Sequence, residues 1–152
     1  MEKRSMIEDR PVKLAQSYWI LGLVQVVHSM EETYTELYTY FHSMSEVLHQ
    51  HFPWIPIFGI SADLFAVLNY LIIALMLGSV PSVIRGSQWS IYLMWGWGII
   101  ELLNGMFHIG TWLVLQHYFP GGVSGPILFV ASVLFVQKLM ASPNSEASKV
   151  AQ

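Results

Sequence analysis

Four apolar stretches divide this chain, over about 14–32, 57–80, 89–115 and 122–140. Each reaches the roughly 20 residues that a helix needs to cross a bilayer. In lipid only helices and closed barrels satisfy their backbone polar groups internally, so the pattern predicts an all-α integral membrane bundle of four transmembrane helices. The joints agree. PSVIRGSQ, with Pro81 and Gly86, separates the second and third stretches, and QHYFPGG separates the third and fourth. Pro and Gly are the residues that end helices. Charged residues make up 11% of the chain and apolar ones 54%, whereas a soluble domain carries about a quarter charged residues. A length of 152 residues allows one domain, read as 1–140 followed by a small, polar, disordered tail over 141–152. No apolar run near the polar N-terminus ends in a cleavage-like A-x-A, so the first stretch is read as a retained helix. The absence of cysteine excludes disulfides and thiolate chemistry. A net charge of −3 with no basic run argues against nucleic acid as a partner.

Lys and Arg set the orientation. Four spans put the N-terminus, the second–third turn and the C-terminus on one side. That side holds Lys3, Arg4, Arg10, Lys13, Arg85, Lys138 and Lys149, all seven basic residues. Positive residues mark the cytoplasmic side, so both termini are expected there, in a multi-pass protein of the cell membrane. The opposite side carries the long connection over 33–56, in which Tyr34, Leu37, Tyr38, Phe41 and Leu48 recur at helical spacing. This predicts an extension of the first helix or an interfacial helix across the bundle mouth, acting as a lid or as a plain interfacial anchor.

Ionisable groups inside a membrane cost about 2.5–3.5 kcal/mol each on insertion scales. Here they are His28, Glu31 and Glu32 on the first span, Asp63 with Asn69 on the second, and Glu101 with Asn104 and His108 on the third. Spacings of i, i+3, i+4 and of i, i+3, i+7 place each of the larger sets on one helical face. At 1.5 Å per residue, His28 and Glu31 stand about 21 and 26 Å above the inner end of their helix. Asp63 stands about 24 Å up, and Glu101 and His108 about 18 and 28 Å up. Three spans therefore bring their polar groups to one layer in the outer half of the bilayer.

His28-Ser29-Met30-Glu31-Glu32 resembles the signature of the HXXEE family of bacterial membrane proteins, whose pattern also includes a further histidine and a Y-x-P-G element. Tyr118-Phe119-Pro120-Gly121 matches that element, and His108 or His117 supplies the histidine. The resemblance implies a bacterial inner-membrane protein and marks the same residues as the site, without naming a reaction. On its residues alone, Y-x-P-G reads as an interfacial Tyr118 followed by a Pro120–Gly121 turn.

Three functions suit this layer. In the first, an acid–base enzyme isomerises, cyclises or opens an epoxide of a lipophilic small molecule. Its catalytic set is His28, Glu31, Glu32, Glu101 and His108, with Glu101 the deepest acid and His28 and Glu32 the relay. Asn104, Asp63, Asn69, Trp97 and Tyr118 would line the substrate, with Trp95 and Trp97 available to stack on it. In the second, His28, Glu32, Glu101 and His108 hold Zn or Fe, although the acid–base chemistry requires no cofactor. The order of His before its carboxylates differs from the Glu-x-x-His of di-iron bundles, which favours a single ion. In the third, the groups carry a proton or small solute. The inner half of the second span is apolar, so a conduit would need an oligomer to complete it. A purely structural polar cluster is the remaining reading. Membrane lipids and a lipophilic substrate are the expected partners.

Overall fold

The computed structural model describes residues 2–142, with side chains from 13 onward. From 143 the expected tail lies outside the described residues, as do the side chains of Lys3, Arg4, Arg10 and Lys149. The described chain is all-helical, without a strand: α1 (Glu2–Tyr34), a 3-10 turn (Leu37–Tyr40), α2 (Phe41–His51), α3 (Ala62–Ile84), α4 (Ser90–Leu115) and α5 (Ser124–Met140).

Several boundaries differ from expectation for local reasons. The first helix begins at Glu2, well before 14. It stops at Tyr34 because Glu36 adopts a left-handed backbone (φ 58°), which no right-handed helix can continue through. The connection over 33–56 is thus a separate helix, not an extension of α1. α3 starts at Ala62, not 57, where the Ser61 hydroxyl accepts the Leu64 N–H at 3.2 Å. This is an ordinary N-cap. Pro81 lies inside the last turn of α3, which continues to Ile84. So near the end, the ring removes only one helical hydrogen bond.

Among the described residues two helices, Ala62–Ile84 and Ser90–Leu115, are long and apolar enough to cross a membrane. The other two expected spans fall short by that measure. α5 has 17 residues, or roughly 26 Å of rise. In α1 the apolar run is interrupted by Gln25, His28, Ser29, Glu31 and Glu32.

α1 packs on α3 and α5, and α4 packs on α5 and more lightly on α3. α1 and α4 therefore face each other across the bundle's diagonal. α4 and α5 approach to backbone contact at Gly105, where a Cβ would fall 2.6 Å from the Phe129 nitrogen. The interior is layered along the axis. At one end Ala15, Tyr18, Leu21, Met76, Val80, Val83, Met94, Leu128, Phe135 and Leu139 form a sealed apolar core. Tyr18 is tied there to Ser79 at 2.7 Å, and Lys138 donates to Ser17 at 2.8 Å. At the other end Leu37, Phe65 and Phe119 form an aromatic cap with Tyr38, Phe41, Met44 and Ile60. α2 is clamped over this cap by Ser45, whose hydroxyl donates to the Phe58 carbonyl and accepts the Phe58 N–H, both at 2.9 Å. Between the two lies a polar layer.

The outside reverses this order. Ile20, Leu23, Val27 and Met30 on α1, Val67, Leu71 and Leu75 on α3, Ile99, Leu103 and Met106 on α4, and Ile127, Val130 and Leu134 on α5 are all exposed. Such a continuous apolar exterior far exceeds the few hundred Å² that water-soluble monomers tolerate.

Candidate functional site

α1 turns Gln25, His28, Ser29 and Glu32 inward at i, i+3, i+4 and i+7, all buried. α4 turns Met94, Gly98, Glu101, Gly105 and His108 inward at alternating steps of four and three. Because these helices lie diagonally, the two stripes meet on the bundle axis.

Glu32 is the meeting point. Its Oε1 lies 3.2 Å from His28 Nε2 and 3.0 Å from His108 Nε2. The two imidazoles stand edge to face, with centroids 4.6 Å apart and planes at 82°. Both rings are fully enclosed. Glu101 is equally buried, and neither of its carboxyl oxygens has a hydrogen-bond partner. Asn104 approaches that carboxyl without reaching hydrogen-bond geometry, and the charges of His28 and Glu32 are within electrostatic reach of it.

Glu31 does something different from its neighbour. It points toward the start of α5. Its Oε1 accepts from the Tyr118 hydroxyl at 2.8 Å and the Val123 N–H at 3.1 Å. Its Oε2 accepts from the Ser124 N–H at 2.7 Å and from the Ser124 hydroxyl. Four donors on one carboxylate, two of them at a helix N-terminus, make this an anionic cap supplied by another helix. Desolvation first, and the hydrogen bond to Glu31 second, hold the Tyr118 phenol above the usual tyrosine range. Tyr118 therefore remains a donor at neutral pH. Tyr118→Phe is expected to lower stability by about 1 kcal/mol, read as an earlier midpoint in SDS or thermal unfolding of the detergent-solubilised protein.

The Y-x-P-G turn closes the site from above. Gly121 has φ 80°, and a Cβ on it would fall on the His108 ring, 2.6 Å from Nδ1, and 3.0 Å from His28 Cε1. Phe119 is buried against His108 (centroids 5.9 Å), Phe107 (6.0 Å) and Tyr40 (5.0 Å). The element read from sequence as an anchor and a turn thus also forms the roof of the imidazole pair.

The structure brings together His28, Glu31, Glu32, Glu101, His108 and Tyr118. Asn69 sits at the same level, accepting from Ser29 at 2.9 Å, while Gln25 donates to Ser29 at 3.0 Å. Asp63 is not in the layer. It lies exposed in the first turn of α3, because that helix starts five residues later than expected and leaves Asp63 at its mouth. Trp97 packs at the edge of the apolar core, not on the polar layer. His117 is exposed and bonds the Leu115 carbonyl of its local backbone, whereas His108 is buried in the cluster. His42, His49 and His51 do not converge: among the described residues the group able to hold a metal is His28, Glu32 and His108, with donor atoms within 4.8 Å of one another.

The sequence reading left Gln25, Ser29 and Ser124 out of the site and gave Gly121 only the role of a turn residue. Gln25 and Ser29 were findable, since they extend the face of His28 and Glu32. Ser124 was not, because only the fold brings it to His28, 96 residues away. A shallow apolar groove of about 240 Å³ on the outside of α1 and α5 is lined by Ile20, Leu23, Val24, Val27, Ile127 and Ser124.

A family described as "Protein of unknown function with HXXEE motif" matches over residues 19–136. The chain belongs to this family. The match takes in both the HXXEE segment and the Y-x-P-G turn. In this HXXEE protein the two motifs form one unit, in which the first Glu holds the turn and the second Glu holds both histidines. No curated protein and no solved structure matches the chain.

Proposed function

We propose that this HXXEE protein is a membrane-embedded enzyme that performs acid–base chemistry on a lipophilic molecule at the His28–Glu32–His108–Glu101 cluster. The observation that carries this is a buried acid, Glu101, left without a partner beside an imidazole–carboxylate–imidazole group. Buried polar groups are nearly always satisfied, and the exceptions concentrate at working sites. Glu101 acts as the proton donor, and His28 and His108, bridged by Glu32, receive and return the proton. Isomerisation, cyclisation and epoxide opening need no more than this pair of roles.

The proposed setting is a four-span bundle with both termini cytoplasmic. Its support is the apolar exterior of all four long helices and the packing of Lys138 beside Ser17 at the basic end. α1 crosses with its polar residues turned inward, so its mean hydropathy understates its fit to lipid. α2, with Val47 and Leu48 exposed, and the turn after it, with Phe52 and Trp54 exposed, lie at the outer interface as both anchor and roof.

The substrate comes sideways from the hydrocarbon. The shallow groove that Ser124 helps to line is otherwise apolar and is smaller than the roughly 300–1,000 Å³ of usual ligand cavities, which suits one alkyl or prenyl chain with its reactive end at the site. The sealed apolar core beneath the polar layer speaks against a conduit. A Zn or Fe ion at His28, Glu32 and His108 is the second reading, favoured by the convergence of three donor atoms. The test is mass-resolved lipid analysis of membranes with and without the protein. A lipid converted by wild type and about 10²–10⁴-fold more slowly by Glu32→Gln is the expected result. Equal turnover in the variant would sink the assignment.

A further inference from the structure

The protons around Ser124 fix the tautomer of His28. A serine hydroxyl has one proton, and that of Ser124 goes to Glu31. Toward His28 Nδ1, 2.7 Å away, the same oxygen can only accept. The proton of a neutral His28 is therefore on Nδ1, and its Nε2 presents a bare lone pair. That lone pair faces Glu32 Oε1 at 3.2 Å and makes no hydrogen bond. Two buried electron-rich atoms at this distance repel unless a cation sits between them.

An imidazole whose Nδ1–H is held by an acceptor while Nε2 is left free is the usual state of a metal-ligating histidine. The separations agree. A tetrahedral ion with bonds of about 2.0–2.2 Å places its ligands about 3.3–3.6 Å apart. The observed edges from Glu32 Oε1 are 3.2 Å to His28 and 3.0 Å to His108, and the three donor atoms all lie within 4.8 Å of one another, so an ion seated there replaces the proton by which His108 Nε2 now bonds Glu32. Charge points the same way: the buried Glu32 carboxylate calls for a positive partner, and a cation set between it and two neutral imidazoles supplies one.

We propose that His28 Nε2, His108 Nε2 and Glu32 bind one divalent ion of the zinc class, beside the unpartnered acid Glu101. Nitrogen and oxygen donors without thiolate suit Zn²⁺ or Fe²⁺. Three protein ligands leave a position open, as in catalytic and not structural zinc sites. When bound, the ion would act as a Lewis acid in place of the imidazole relay, with Glu101 still the proton donor. Ser124 is a positioning residue, holding the His28 tautomer through its acceptor oxygen.

The experiment is metal analysis of the full chain, purified in detergent without a histidine tag and rinsed with chelator. About one Zn²⁺ or Fe²⁺ per chain is expected, with loss in Glu32→Gln and His108→Gln. His42→Ala and His117→Ala should retain it. Ser124→Ala should keep the ion but bind it about 10–100-fold more weakly, an effect that loss of a merely structural hydroxyl would not have. Co²⁺ added to the emptied wild type should give the visible absorption of a four-coordinate site, which needs no variant to fold. A wild type that is empty as purified and takes up neither Zn²⁺ nor Co²⁺ overturns the proposal, and so does metal that follows the surface histidines. The enzymatic reading fails separately, if a metal-loaded protein converts no lipid.

Discussion

Glu101→Leu is expected to make the protein more stable by about 1–3 kcal/mol and to abolish its turnover. Both carboxyl oxygens of Glu101 are buried without a hydrogen-bond partner, so the folded state carries their desolvation uncompensated. Leucine has similar volume and continues the inward face of Met94, Gly98 and Gly105 on α4. A residue whose removal helps the fold is present for another reason, and a trade of stability against activity is the mark of a working site. The comparison is an SDS or thermal unfolding curve of the two proteins in one detergent, beside the lipid-conversion assay. A lower midpoint in Glu101→Leu would mean that the acid is a structural member of the cluster, and the enzymatic reading would lose its donor.

Gly121→Ala should have the opposite effect. The new methyl would overlap the His108 ring and press on His28. Overpacking of this kind costs about 1–3 kcal/mol, and the left-handed backbone at φ 80° adds about 1–2 kcal/mol for any residue with a Cβ. The rings have nowhere to retreat, with Phe119 on one side of His108 and Gly125, itself at contact distance, on another. The variant is expected to unfold at a clearly lower midpoint, and whatever remains folded should show His108 displaced from Glu32. Gly122→Ala, one position along, meets chiefly the Phe119 carbonyl and leaves the imidazoles alone. A Gly121→Ala protein as stable as wild type would show that the turn does not sit on the histidines.

The bundle was legible because apolar length and helical periodicity are local properties. So were the two polar stripes, whose spacings state directly which side chains share a face. Their meeting across the diagonal followed from the need to keep them out of lipid. What the sequence could not show was division of labour within one motif. Glu31 and Glu32 are adjacent and chemically identical, yet about 100° apart around the helix. One faces the bundle axis and the other faces the start of α5. Asp63 was misplaced because the helix start depends on where Ser61 caps it, and a shift of one turn carries a residue from the interior to the mouth. Gly121 looked like an ordinary turn glycine. The imidazoles that forbid a side chain there come from the far part of α4 and from α1, and only the folded bundle sets them against the turn.

The carboxylate that caps α5 also has a bearing on how the chain is made. Glu31 leaves the ribosome long before its donor at Val123, 92 residues later in the chain. Until then the acidic end of α1 must be kept in water or shielded by the insertion machinery, and the imidazole pair lacks its roof. Maturation of the site is therefore tied to arrival of the final helix. A chain that stalls or is cut before that point carries His28, Glu31 and Glu32 and still lacks the partners at Val123 and Ser124 that hold Glu31 in place.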